Sequence, residues 1–241
     1  MNLKECDAIV LKTMKYNDSS KIITVFSDKF GKFNLLAKGI RSSRSSQCGV
    51  FEEMNHVKIF LNYKINRDLQ VVNKSECIDS FSKIKQSLKK LEFTYRILEI
   101  LNKLSYEFDS DENLFRLSLY CINLINLGNY KNPVVYLYFL INFLKVSGID
   151  LYFKLESEKL NNNKYNETFD YKVRLNNNKE NYRLELDNIM KKGTGDINNY
   201  LMSEKDCIDI LSFLDIYLHQ NFEIKNIFKS KYIFRKINDT I

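Results

Sequence analysis

The chain has 241 residues and a formal net charge of +7, with 37 basic and 30 acidic residues. Its 44% hydrophobic and 28% charged content is typical of a globular protein and excludes a largely disordered one. The N-terminus carries charges where a secretory signal would be apolar, and the longest apolar run, residues 134–144, is shorter than the ~18 residues of a membrane span. We therefore expect a cytoplasmic protein with no membrane partner.

The positive surplus lies at the two ends of the chain. Residues 1–80 carry +4, residues 81–218 are neutral, and residues 219–241 carry +3. This asymmetry favours a polyanionic partner. The alternative is a generally lysine-rich surface, since 29 of the basic residues are lysines, and charge alone does not decide between the two.

Residues 1–80 have the patterning of β-strands. Turn residues at 17–20 and 28–31 separate the first three strands, and Gly31 can take the positive φ of its turn. The five predicted strands are Asp7–Tyr16, Lys21–Ser27, Lys32–Lys38, His56–Tyr63 and Leu69–Ile78. The long connection after the third strand favours a small barrel of the OB type over an open sheet, which remains an alternative.

From about residue 80 the apolar residues recur every three or four positions, as in helices. The spacing predicts one helix over 84–104 and a second over 114–125. A third, over 134–146, is apolar on nearly all sides and should be the most buried element. Asn132 is its predicted N-cap, with Pro133 in the first turn.

Residues 152–200 contain two Asn triplets and many charges. We predict a poorly packed insertion there with at most one β-hairpin, from short alternating pieces around Thr168–Leu175 and Tyr182–Leu186. Ser203 then caps a further helix, with Asp206 three residues on. The predicted fold class is α+β, with a five-stranded OB-type barrel in residues 1–80. A mainly helical domain, residues 81–241, follows and carries the insertion.

The segment Lys29–Arg44 is the most informative one, because no acidic residue occurs between Asp28 and Glu52. Gly39 allows close backbone approach, the serines supply small donors, and arginine matches the geometry of phosphate oxygens. This pattern predicts contacts with a nucleic-acid backbone rather than with particular bases. The alternative is a solvated connection. The predicted contacts are Lys29, Lys32, Lys38, Gly39, Arg41, Ser42, Ser43 and Arg44.

Two further sets of residues can extend this surface. The predicted secondary contacts near the C-terminus are Lys225, Lys229, Lys231 and Arg235, although cations near the end of a helix also stabilise its dipole. Two aromatic pairs can stack on unpaired bases, Phe33 with Phe60 and Tyr16 with Tyr63. The alternative place for each of these rings is the barrel core.

The sequence carries no pattern typical of an enzyme. It lacks the Walker phosphate loop, the dinucleotide-binding G-x-G-x-x-G and the hydrolase G-x-S-x-G. Its five cysteines are all at least 29 residues apart and it has two histidines, so we expect neither a metal nor a cofactor. A metal-dependent nuclease remains the catalytic alternative, although the acidic pairs do not converge on one predicted site.

Several segments resemble the bacterial RecO family of recombination mediators. Residues 144–151 and 217–230 are similar to the family's central helix and closing helix. The segments that resemble its N-terminal motifs, in order and spacing, are 8–12, 16–22, 26–27, 31–32 and 37–41. The resemblance implies an N-terminal OB-fold followed by a helical domain.

The resemblance also implies a function. Family members bind single- and double-stranded DNA, anneal complementary strands and help to load recombinase on DNA coated by single-strand binding protein, in the RecF-type repair pathway. The implied partners are RecR and the acidic C-terminal tail of the single-strand binding protein, and the implied location is the bacterial nucleoid. By position in the motif, the implied DNA contacts are Lys32, Lys38, Arg41 and Arg44.

In one respect the sequence departs from the family. Many members carry two C-x-x-C pairs for zinc after the central helix, whereas this chain has no cysteine between Cys121 and Cys207. We therefore expect no zinc. The alternative function is that of a non-catalytic adaptor that captures the acidic tail, with the basic segment incidental.

Overall fold

The computed structural model describes residues 3–41, 49–65, 67–148 and 179–221, together with residues 230, 233 and 234. The first part of the chain consists of five strands. They are β1 (Lys4–Tyr16), β2 (Ser20–Ser27), β3 (Gly31–Ala37), β4 (His56–Leu61) and β5 (Leu69–Asp79). All five lie where the sequence predicts a strand.

The five strands form a closed barrel in the order β1-β2-β3-β5-β4, with β4 pairing back onto β1. All neighbours are antiparallel except β3 and β5. Phe33, Leu35 and Ala37 alternate into the barrel core, as their spacing predicts. The predicted five-stranded barrel is therefore confirmed, and the structure adds that its sheet is mixed.

The middle of β1, Ala8–Leu11, is buried on both faces of the strand. Ala8 and Val10 pack inside the barrel, whereas Ile9 and Leu11 belong to the core of the helical region. A register shift against β2 between Val10 and Lys12 bends the strand at this point. β1 therefore joins the barrel core to the helical core.

The connection between β3 and β4 is fixed at its second half. The Asn55 side-chain amide donates to the carbonyls of Gly49 and Val50, both at 3.0 Å. The Glu53 carboxylate accepts from the backbone N–H of Thr13 at 3.3 Å and from the hydroxyl of Tyr95 at 3.1 Å. These bonds hold residues 49–55 against both the barrel and the helical region.

Helices follow the barrel, as predicted. They are α1 (Ser82–Lys85), α2 (Leu88–Leu104), α3 (Glu112–Leu127), α4 (Asn132–Val146), α5 (Lys179–Lys192) and α6 (Glu204–Asn221), with a 3₁₀ helix at Ile197–Tyr200. α4 is apolar on nearly all sides and packs against α2, α3 and α6, so it lies at the centre of this region. No helix in the described ranges has the length and apolar character needed to cross a membrane.

The helix predicted over 84–104 is interrupted. Ser87 has extended backbone, and its hydroxyl accepts from the N–H of Lys90, so α2 begins only at Leu88. Similarly, Lys131 and not Asn132 is the N-cap of α4, because the backbone of Asn132 is already helical. Both predictions placed the start of the helix at the wrong residue, because apolar spacing does not determine the position of the N-cap.

The strand-like piece predicted around Tyr182–Leu186 is also wrong, because these residues lie within α5. Leu186 and Ile189 are buried three residues apart, whereas Leu184 is exposed, so burial follows the helical period. The piece around Thr168–Leu175 lies outside the described residues. The predicted cap of α6 is confirmed, since the Asp206 N–H donates to the Ser203 hydroxyl at 3.1 Å.

Candidate nucleic-acid interface

The β2–β3 turn of the barrel lies against the helical region. The ammonium of Lys32 donates to the carbonyl of Asn102 at 2.8 Å, and the Phe108 N–H donates to the carbonyl of Lys32 at 3.0 Å. Burial lowers the pKa of Lys32. Gly31 has φ of +63°, and a Cβ on it would lie 2.1 Å from the carbonyl oxygen of Asp109. We call Lys29, Gly31 and Lys32 the docked end of the barrel.

Lys29 is exposed but is also engaged within the chain. Its ammonium donates to the carbonyl of Glu5 at 3.0 Å. β3 carries the backbone away from this end, and Lys38 lies six residues beyond Lys32, or about 20 Å along an extended strand. The cations of the segment Lys29–Arg44 therefore do not all lie on one surface.

A second group of cations surrounds the β1–β2 turn at the opposite end. Lys15 pairs with Lys21 across the ladder, and Lys21 pairs with Ala37, the residue before Lys38. Within the described part of the chain, the side chains of Lys15, Lys21 and Lys38 have neither a hydrogen bond nor an ion pair. We call these three lysines, together with Gly39 and Arg41, the free end of the barrel.

Like charges placed directly opposite each other on a ladder destabilise it. The acid that lies in the turn between Lys15 and Lys21 is Asp18, which has no ion pair with either lysine. A polyanion laid across the free end would relieve this repulsion and release its own counterions. The free end is therefore suited to phosphate groups.

Arg41 fixes the shape of the free end. Its backbone N–H donates to the carbonyl of Ser19 at 2.9 Å, and its guanidinium donates to the carbonyl of Asn17 at 3.0 Å. Gly39 is exposed with φ of +69°, and no atom lies within 4 Å of the Cβ that another residue would add. A glycine is thus favoured at position 39 by the positive φ of the backbone, and the space beside its Cα is open.

Sequence reasoning missed Lys15 and Lys21. Lys15 lies two residues before the predicted turn at 17–20, and Lys21 follows the turn directly. Pairing the two predicted strands across that turn would have placed the two lysines within one position of each other. The sequence feature that could have identified these two lysines is therefore the predicted hairpin, and not the acid-free segment.

The aromatic residues proposed for base stacking are mostly engaged elsewhere. Phe33 is 1% exposed in the barrel core, and the Lys74 ammonium lies 5.5 Å from the centre of the Phe60 ring. Tyr63 stacks on Phe30 with ring centres 4.2 Å apart. Tyr16 is 41% exposed and lies next to Lys15, so it remains available at the free end.

A groove of about 310 Å³ crosses the outer face of the barrel beside the free end. The ladder pairs Met14 with Ile22 and Lys12 with Thr24, so the groove runs across neighbouring strands. We call it the strand groove. It is lined by Lys12, Met14, Ile22, Thr24, Asn34, Asp68 and Leu69.

Several predicted contacts are not tested by the structure. Those that lie outside the described residues are Ser42, Ser43, Arg44, Lys225, Lys229, Lys231 and Arg235. In the described ranges, no three His, Cys, Asp or Glu side chains converge on a potential metal site. Most of the insertion at about 152–200 is outside those ranges, so the absence of zinc stays a prediction.

Residues 1–81 match the family model described as "Recombination protein O N terminal". The barrel is a RecO-family N-terminal domain. The resemblance to RecO in the sequence is thereby confirmed.

Curated proteins named DNA repair protein RecO are similar over a longer stretch. That of Salinibacter ruber is 25% identical over 142 residues, which are 59% of this chain and 55% of the relative. That of Prosthecochloris aestuarii is 28% identical over 142 residues, or 59% and 54%. That of Oceanobacillus iheyensis is 32% identical over 111 residues, or 46% and 41%. The chain thus spans about half the length of the curated RecO relatives it matches.

Proposed function

We propose that this protein is a non-catalytic DNA-binding mediator of recombinational repair. The observation that carries the proposal is the free end of a RecO N-terminal domain, where Lys15 lies opposite Lys21 and Lys38 follows the residue paired with Lys21. None of the three lysines has a partner in the described part of the chain. Lysine binds phosphate as a point charge and does not distinguish bases. The barrel therefore binds single- and double-stranded DNA with little regard to sequence.

The same chemistry supports strand annealing. Two complementary strands repel each other through their phosphates, and each lysine contact neutralises one phosphate and releases a counterion. DNA bound at the free end leaves its bases unread, because phosphate contacts position a strand without pairing with it. A bound strand can then meet its complement at lower electrostatic cost.

The partners proposed for this protein follow from its similarity to RecO. These partners are RecR and the acidic tail of a single-strand binding protein. With them the protein would help to load recombinase on coated DNA in the cytoplasm, at the bacterial nucleoid. The barrel has the DNA-binding surface, so we place the protein partners on the helical region that begins with α1. The division into residues 1–80 and 81–241 remains part of this proposal.

The direct test replaces Lys15, Lys21 and Lys38 together by Gln and measures the affinity for a labelled single-stranded oligonucleotide over a range of salt. We expect at least a tenfold loss at low salt. The slope of log affinity against log salt should fall by about two, since each phosphate contact on a single strand contributes about 0.7.

The matched control replaces three exposed lysines of the helical region, Lys83, Lys89 and Lys131, by Gln. This variant loses the same positive charge as the test variant. Its affinity should stay within twofold of wild type. Equal losses in both variants would show a net-charge effect and contradict the assigned site. Capture of the acidic tail by a wild-type protein that binds no DNA would support the adaptor instead.

A further inference from the structure

We propose that Glu53 is a positioning residue for the free end, and that it makes the DNA affinity of the barrel depend on helix α2. The inference rests on the proposed DNA-binding function and adds to it a residue that contacts no DNA. Lys15 and Lys21 lie near the tip of the β1–β2 hairpin, so the direction of that hairpin decides whether both reach one phosphate backbone.

One edge of β1 changes its partner half-way along the strand. Residues 4–9 pair with β4, whereas residues 12–16 pair only with β2 among the described strands. Between the two parts, the Val10 N–H donates to the carbonyl of Asn55 at 3.0 Å, and the Met54 N–H donates to the carbonyl of Val10 at 2.8 Å. The second half of β1 is therefore an edge of the sheet, with backbone groups that no neighbouring described strand holds.

Glu53 binds this edge where a neighbouring strand would otherwise do so. One of its carboxylate oxygens accepts from the N–H of Thr13 at 3.3 Å, and the other accepts from the Tyr95 hydroxyl at 3.1 Å. Thr13 precedes Lys15 by two residues, so this bond lies about 7 Å along the strand from the lysine. The carboxylate thus fixes β1 just before the first lysine of the free end.

Tyr95 is held in place by its own surroundings on α2. Burial and the nearby Glu53 raise the pKa of Tyr95 to about 12, so the phenol stays protonated and donates. Its ring lies 6.3 Å from that of Phe234, and Glu99, one turn further along α2, accepts from the N–H and the hydroxyl of Ser230 at 3.0 and 2.7 Å. The same face of α2 therefore contacts both Glu53 and residues near the C-terminus.

This series of contacts has a consequence for DNA binding. A hairpin that is already directed loses less conformational freedom when DNA binds, and such pre-organisation raises affinity without any new contact. Glu53 also carries a negative charge beside a cationic surface, and as an acid alone it would weaken DNA binding. The two roles predict changes of opposite sign when the carboxylate is removed.

The first test removes only the bond between α2 and Glu53. Tyr95→Phe changes no charge, and we expect a three- to fivefold weaker affinity for a labelled single-stranded oligonucleotide, with the salt slope of wild type. The matched control is Tyr138→Phe, which removes a hydroxyl that donates to the Gly195 carbonyl at 3.0 Å within the helical region. Its DNA affinity should stay within 1.5-fold of wild type, or about the error of the measurement.

The second test changes the carboxylate itself. Glu53→Ala loses both acceptor oxygens and should bind the oligonucleotide about fivefold more weakly, although it also removes a negative charge. Glu53→Gln keeps an acceptor for the Thr13 N–H and an amide that can donate to the Tyr95 oxygen, so it should bind at least as tightly as wild type. This rescue by the amide separates the positioning role from the charge.

Hydrogen exchange of the β1 amides gives a readout that does not use DNA. In Tyr95→Phe and in Glu53→Ala, the Thr13 amide should exchange faster than in wild type, by about tenfold in Glu53→Ala. The amides of residues 4–9, which lie in the part of β1 that pairs with β4, should keep their wild-type rates. An unchanged Thr13 rate in Glu53→Ala, or equal acceleration of both sets, would overturn the positioning role.

Two results of the binding measurements would also overturn this inference and leave the proposed function standing. One is an affinity of Glu53→Ala above that of wild type, which would make Glu53 only an acid beside the cations. The other is a Tyr95→Phe affinity equal to that of Tyr138→Phe. A wild-type protein that binds no oligonucleotide at low salt would overturn both proposals.

Discussion

The two ends of the barrel carry similar residues and use them differently. Each end has two or more cations and a glycine with positive φ, yet at the docked end the cations bind carbonyls of the chain itself. At the free end Arg41 also binds a carbonyl of the chain, but three lysines have no such partners among the described residues. The comparison shows that the charge offered to a ligand depends on which cations the fold has already engaged.

The largest expected effect separates the two glycines. Gly31→Ala adds a Cβ that would overlap the Asp109 carbonyl, in addition to the ~1–2 kcal/mol cost of a left-handed conformation. We expect Gly31→Ala to lower the free energy of unfolding by about 3 kcal/mol or more. Gly39→Ala meets only the conformational cost and should lose about 1 kcal/mol. Urea unfolding curves of the two variants measure both values.

Equal destabilisation by Gly31→Ala and Gly39→Ala would contradict the close packing of the docked end. The comparison is well controlled because both residues have nearly the same φ, +63° and +69°. Only the surroundings of the two glycines differ.

A smaller effect separates two lysines of the predicted basic segment. Lys32→Met removes the hydrogen bond to the Asn102 carbonyl and should lower the free energy of unfolding by about 1 kcal/mol, with DNA affinity within twofold of wild type. Lys38→Met should leave stability within about 0.5 kcal/mol and weaken DNA binding about three- to fivefold at low salt. Urea unfolding and anisotropy titrations on the same two proteins check both statements.

The DNA affinity of Lys32→Met decides between the two ends. A loss of affinity as large as that of Lys38→Met would show that Lys32 contacts DNA, as the resemblance to RecO implies. The docked end would then bind DNA after opening from the helical region.

The smallest expected effect is a pH dependence of stability that arises at His56, where the barrel contacts α3. His56 is buried between Asp7, 3.5 Å away, and the Phe115 ring of α3, and burial lowers its pKa below the usual 6.5 in spite of the nearby acids Asp7, Asp79 and Asp28. The unfolded chain therefore takes up a proton first as the pH falls. Stability should change little between pH ~7.5 and ~7 and should decrease as the pH falls through ~6.5.

Unfolding curves between pH 7.5 and 5.5 measure this change, and His56→Gln should remove it. Burial raises the pKa of Asp28 above its usual 3.8, which has the opposite effect on stability at lower pH. Burial also raises the pKa of Glu99 and of Glu185, which act in the same direction as Asp28. The difference between wild type and His56→Gln therefore isolates the imidazole, and an equal pH dependence of the two proteins would contradict the burial of a neutral His56.

Strand positions were predictable because Phe33, Leu35 and Ala37 alternate strictly and turn residues flank them. Helix α4 was predictable because it is apolar on nearly all sides. The alternation near Leu184 and Leu186 was misleading, since packing against α6 and the 3₁₀ helix imposes the helical period on a polar segment.

The candidate site was predictable in kind and only partly in position. An acid-free segment indicates an affinity for phosphate, but it does not show that β3 separates Lys32 from Lys38 along its length. Which cations face a ligand depends on where the helical region docks. That contact joins Lys32 to Asn102, 70 residues away, and no local pattern encodes it.

The serine-rich stretch that begins after Arg41 has both of its anchoring points fixed. Arg41 is tied to the carbonyls of Asn17 and Ser19, and Gly49 is tied to Asn55. Closing a loop between fixed points costs only ~0.6 kcal/mol more for each doubling of its length. The number of residues between the anchors can therefore change during evolution, or through an engineered insertion, while the barrel and its register stay the same.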